Sequence, residues 1–112
     1  MKDKNISHIS DLKIIGDLHI ESDVFLDATV EGNIIAMEGN DVTLICGPSC
    51  HVKGDIRVPV IKLNGLVDGN LVITKEAYLG EKAEVNGDIH YGKLEMLVGA
   101  TVVGHMTKVV DN

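Results

Sequence analysis

Aromatic side chains are nearly missing from this sequence. Tryptophan is absent, and Phe25, Tyr78 and Tyr91 are the only aromatics in 112 residues. Yet 45% of the residues are hydrophobic, so the apolar mass is mostly valine, isoleucine and leucine. β-Branched side chains have a stiff χ1 that suits a pleated surface, and this points to strands. Proline is scarce too, two residues against twelve glycines. The glycines therefore read as repeated corners rather than a disordered linker, which would be rich in both. No apolar run approaches the roughly 18 residues needed to span a bilayer as a helix. The opening Met1-Lys2-Asp3-Lys4-Asn5 leads into no apolar region of the signal-peptide kind. These absences predict a cytoplasmic protein of one domain, with attachment to a membrane surface left open.

Positive charge is also in short supply. Ten Lys and Arg stand against seventeen Asp and Glu, a net charge of −7. A phosphate-binding surface needs clustered basic residues, so nucleic acid is excluded as a partner. The two cysteines, Cys46 and Cys50, bracket Gly47-Pro48-Ser49, one residue more than the Cys-x-x-Cys redox motif. That motif works from a helix N-terminus that lowers a thiol pKa, and nothing nearby reads as a helix. Both are expected as small buried core residues.

What the sequence does have is an internal repeat. Six segments share one pattern: Ile14-Ile15-Gly16-Asp17-Leu18, Val30-Glu31-Gly32-Asn33-Ile34, Val52-Lys53-Gly54-Asp55-Ile56, Val67-Asp68-Gly69-Asn70-Leu71, Val85-Asn86-Gly87-Asp88-Ile89 and Val102-Val103-Gly104-His105-Met106. The glycines Gly16, Gly32, Gly54, Gly69, Gly87 and Gly104 are 16, 22, 15, 18 and 17 residues apart. Glycine followed by Asp or Asn is a turn signal, because both tolerate φ > 0. Around each turn apolar residues alternate with others, as in Leu18/Ile20, Ile56/Val58, Leu71/Ile73 and Ile89/Tyr91, the period of a strand with one buried face. Two residues before each valine stands a small residue, Ala28, Cys50, Gly65, Ala83 or Ala100, and the first unit has Leu12 in that place.

A repeat of 15 to 22 residues holding about three short strands predicts one coil of a parallel β-helix per unit. Six coils stacked at about 4.8 Å give a rod about 29 Å long. The small residues suit a tight corner. The longest unit needs a loop, expected at Gly39-Asn40-Asp41. From Ile61 onward an apolar residue recurs every six positions, through Val67, Ile73, Leu79, Val85, Tyr91, Leu97 and Val103. That is the mark of a left-handed β-helix, but it fails before Ile61. Variable coil lengths favour the right-handed form.

Catalytic readings find little support. A zinc site needs three ligands converging at about 2.1 Å. His19 and His90 take the same place in coils one and five, about 19 Å apart at β-stacking distance, so the two cannot share a metal. His8, His51 and His105 are scattered, and the histidines read as solvent-exposed. No nucleophile elbow or phosphate-cradling loop is present. The acidic pairs Asp23/Asp27 and Glu81/Glu84 read as solvated faces. No catalytic, metal or cofactor site is predicted.

The chain of Val-x-Gly-Asn/Asp-Ile units, over roughly Ser10 to Val110, resembles the bactofilins, bacterial cytoskeletal proteins. The resemblance implies a right-handed, triangular β-helix that polymerises end to end into filaments without nucleotide. It also implies a role in cell shape, polarity or envelope-synthesis machinery, with morphogenetic proteins as partners. On this reading residues 1–9 are a short tail, 10–110 the polymerising β-helix and 111–112 its end. A β-helix has two exposed ends that must be capped, charged or used. Contact residues are expected in the first coil at Ile9, Leu12 and Ile14, and in the last at Val102, Met106, Val109 and Val110. The competing readings are a small left-handed β-helix enzyme of the hexapeptide-transferase type and a binding module that does not polymerise.

Overall fold

The period-two alternation is realised along the whole chain. The computed structural model describes residues 7–37 and 41–109, and among these there are thirteen strands and no helix. All pairings are parallel, and they sort into three ladders of six segments each. Face one stacks residues 7–10, 24–27, 43–46, 60–63, 76–79 and 93–96. Face two stacks 13–15, 29–31, 51–53, 66–68, 84–86 and 101–103. Face three stacks 18–20, 34–36, 56–58, 71–73, 89–91 and 106–108. The chain visits the faces in the order one, two, three, six times over. The result is a parallel β-solenoid of six coils.

Each face turns one side chain in two toward the axis, and like residues stack on like. One inward column is Leu26, Cys46, Leu63 and Leu79. A second is Val30, Val52, Val67 and Val85, and a third is Ile34, Ile56, Leu71 and Ile89. All twelve are at most 1% exposed. Burying an aliphatic side chain of this size stabilises by about 1.5–3 kcal/mol, so these columns dominate the energetics. The narrow corner between faces one and two holds the small residues: Ala28, Cys50, Gly65 and Ala83 are buried. A Cβ on Gly65 would lie 2.5 Å from the Cys50 carbonyl oxygen, which leaves no room for a larger residue.

Leu12 does not take that corner position. Ser10 pairs with Asp27 and Lys13 with Thr29, so Asp11 and Leu12 together stand opposite Ala28. The bulge places Asp11 at φ 57° and turns Leu12 outward, 57% exposed. The six-residue recurrence from Ile61 likewise points inward only as far as Tyr91, since Leu97 and Val103 are exposed. Of the expected loop, Asp41 is exposed, while Gly39 and Asn40 lie outside the described residues.

The glycine corners owe their identity to stacking more than to backbone handedness. A Cβ on Gly32, Gly54, Gly69, Gly87 or Gly104 would come within 2.1–2.2 Å of the carbonyl oxygen of the glycine one coil below. Gly87 makes the same contact without the positive φ of its neighbours. The residue after each glycine ties the coils together. Oδ1 of Asp17, Asn33, Asp55, Asn70 and Asp88 each accepts the backbone N–H of the equivalent residue in the next coil, at 2.9–3.0 Å. The ladder alternates acid and amide, so carboxylates stacked in it are two coils, about 9.6 Å, apart.

Candidate functional site: the two ends of the solenoid

Several of the polar groups that invite a catalytic reading are held in structural roles, and the others stand exposed. Asp23 is buried and its Oδ1 accepts the Thr43 N–H at 2.9 Å; Asp27 accepts the Ser49 N–H at 2.8 Å. The expectation that this pair is a solvated face is therefore corrected: both brace the next coil, as the Asx ladder does at its own corner. Glu81 and Glu84 are exposed. Cys46 and Cys50 are free and buried. A hydrogen bond with Cys50, together with burial, holds the Cys46 thiol well above its ordinary range, which disfavours the reactive thiolate. His19 and His90 are exposed in coils one and five. His51 is half-buried rather than solvated, with Nε2 2.9 Å from Asp68 Oδ2. Among the described residues no three His, Cys, Asp or Glu side chains are grouped to hold a metal ion.

The unusual surface is at the ends. In the first coil Ile9 and Ile14 face inward below Leu26 and Val30 and are half-buried. Leu12 stands on the bulge, beside them. In the last coil Val102 stacks on Val85 and is half-buried, and Met106 stacks on Ile89 and is 48% exposed. Val109 continues face three by donating its N–H to the Tyr91 carbonyl oxygen at 2.6 Å, and its side chain is exposed. Val110 lies outside the described residues. Within each end these residues share one rung of the solenoid, and no further coil among the described residues covers them.

Sequence reasoning overlooked the strongest members of this set. Ile15 is 77% exposed, and Leu97 and Val98 project from the last corner, Val98 at 97%. Ile15 and Val103 belong to one outward column on face two, whose other members are Glu31, Lys53, Asp68 and Asn86. The position before the glycine is thus polar in the four inner coils and aliphatic in the two terminal ones. The corner of the last coil follows the same rule. Gly80-Glu81-Lys82 in coil five becomes Leu97-Val98-Gly99 above it. Aligning the six repeats position by position would have exposed both substitutions.

A family model described as "Bactofilin: Polymer-forming cytoskeletal" matches residues 9–107, most of the chain. No curated protein and no solved structure gives a significant match. No helix among the described residues is long and apolar enough to cross a membrane.

Proposed function

The chain belongs to the bactofilin family of polymer-forming cytoskeletal proteins, and from this we propose that it assembles end to end, through its first and last coils, into filaments. One observation carries the reading. The outward column that is charged or amide-bearing in the inner coils is aliphatic at Ile15 and Val103. An exposed isoleucine and valine gain nothing in a monomer, whereas burial between subunits turns them into a contact. An interface that does not close on itself gives a filament. Ile9, Ile14, Met106 and Val109 complete the two apolar ends, with Leu12 and Val102 beside them.

On this reading the protein is a scaffold without catalytic residues. Its principal partner is another copy of itself. Assembly needs no nucleotide, since each added subunit only covers apolar end residues that the one before it leaves exposed. The filament works in the cytoplasm, where it organises cell shape, polarity or envelope-synthesis machinery and recruits morphogenetic proteins. Negative-stain electron microscopy of the purified protein without nucleotide tests the core of the proposal. Long thin filaments are expected; a uniform population of small particles would overturn it.

A further inference from the structure

Face three carries a second pattern, independent of the ends. Its outward column is His19, Ile35, Arg57, Val72 and His90. Beside it runs the Asx ladder of Asp17, Asn33, Asp55, Asn70 and Asp88. Taken coil by coil, acid goes with base and amide with aliphatic: Asp17 with His19, Asn33 with Ile35, Asp55 with Arg57, Asn70 with Val72, Asp88 with His90. Charged and neutral coils alternate without exception from coil one to coil five. The two columns line a shallow groove of about 390 Å³ that spans coils two to five.

In the middle charged coil the pattern is not used up inside the chain. Arg57 is the only arginine in the sequence, is exposed, and makes no ion pair among the described residues. Asp55 spends Oδ1 on the Asn70 N–H. We propose that face three is the surface by which two filaments lie side by side, its occupant being the same face of a second copy with the two rods parallel. A two-fold axis along the rod direction sets the acid column of one copy against the basic column of the other at equal height. Asp55 then meets the partner copy's Arg57, and the neutral coils meet each other. An antiparallel arrangement would put acid on acid in the same columns, so the charge pattern selects the parallel one.

The size of the face explains why such pairing belongs to filaments. Three residues wide and six coils tall, it offers about 10 Å by about 29 Å, or about 300 Å² per subunit. A stable pair of free proteins needs about 800 Å² on each side. Along a filament whose subunits present this face on one side, the contact repeats and the weak increments sum. The inference rests on the end-to-end reading above.

The test is negative-stain microscopy of the full chain and of Arg57→Glu, at about 0.05 M and about 0.5 M salt. Wild-type filaments should pair at low salt and separate at high salt. Arg57→Glu filaments should be of normal length, with about tenfold fewer pairs at low salt, because the introduced carboxylate would face Asp55 of the neighbouring copy. Asp55→Asn, which keeps the ladder acceptor, should also reduce pairing. Single wild-type filaments at low salt, or pairing unchanged in Arg57→Glu, would overturn the lateral contact and leave end-to-end assembly standing. The absence of any filaments would instead overturn end-to-end assembly, and the lateral contact with it.

Discussion

Gly69 sits directly over Gly54, so close that a Cβ on Gly69 would lie 2.1 Å from the Gly54 carbonyl oxygen. Both partners are backbone, and both belong to ladders that cannot shift without breaking the register of the coil. Gly69→Ala should therefore cost about 3 kcal/mol or more in a urea unfolding measurement. Gly16 provides the control. Nothing lies within 4 Å of its Cβ position, although its φ of 120° still resists a side chain. Gly16→Ala should cost only about 1–2 kcal/mol. Equal losses at the two sites would show that backbone strain, not stacking, dictates the glycines.

Asn70 lies between two acids in the Asx ladder: its N–H binds Asp55 Oδ1 and its own Oδ1 binds the Asp88 N–H. Asn70→Asp preserves every acceptor but places three carboxylates in consecutive coils about 4.8 Å apart. Even in a dielectric of water, each neighbour adds about 1 kcal/mol of repulsion at that distance. The variant should lose about 1–2 kcal/mol at neutral pH and low salt, and regain most of it at about 1 M salt. A loss that ignores salt would mean the alternation of acid and amide has another cause.

Much of this fold is legible because every coil repeats the same instruction. A β-branched residue two places before a glycine, then a polar residue and an apolar one, read six times, locates face two, the corner and face three. What was not legible depended on the neighbour above or below. Asp23 looks like a surface acid until Thr43 of the next coil is seen to donate to it. Leu12 appears to fill a corner until pairing shows two residues opposite Ala28. The reason for the glycines was also hidden, since a short contact between coils leaves no trace in a linear pattern. The exposed ends were half-readable: Met106 stands out as the end of a column, but Ile15 and Val103 emerge only against the polar residues of the inner coils.

Glu31, Asp68 and Asp88 each hold their carboxyl below its ordinary range in the folded chain. Glu31 is held down by its bond to the Lys13 ammonium, Asp68 by hydrogen bonds from Asn86 and His51, and Asp88 by the His105 backbone N–H. Each binds its proton less tightly folded than unfolded. The stability they add is present above the unfolded value of about 4 and is lost as pH falls through the folded value. Urea midpoints should therefore be flat from about pH 7 to about pH 5 on account of these groups, and fall below about pH 4. Asp68→Asn and Asp88→Asn should flatten that acid limb while leaving the fold intact. Acid limbs identical to wild type would remove these groups as its source.

The ends should also reveal how subunits meet. The Asx ladder stops at His105, which takes the Asp88 acceptor through its N–H but has no carbonyl or carboxylate oxygen in its side chain to offer onward. Its ring instead leans back toward Asp88, with Nδ1 3.6 Å from Oδ1. A last coil built to be continued by another chain's first coil would carry Asp or Asn here. This favours like-to-like contacts, last coil on last coil and first on first. Val103→Lys and Ile15→Lys each alter an exposed residue at one end, so both should fold with unchanged circular dichroism and melting. Lysine is costly to bury in an apolar contact, and each variant should block one type of junction. With like-to-like contacts each variant stops at a dimer of about twice 12.0 kDa, joined through its intact end. Head-to-tail assembly would stop each variant alone at the monomer, and an equal mixture of the two would still join at dimers, because each would supply the end the other lacks. Light scattering on a sizing column distinguishes the outcomes, and a monomer from either single variant would rule out the like-to-like arrangement.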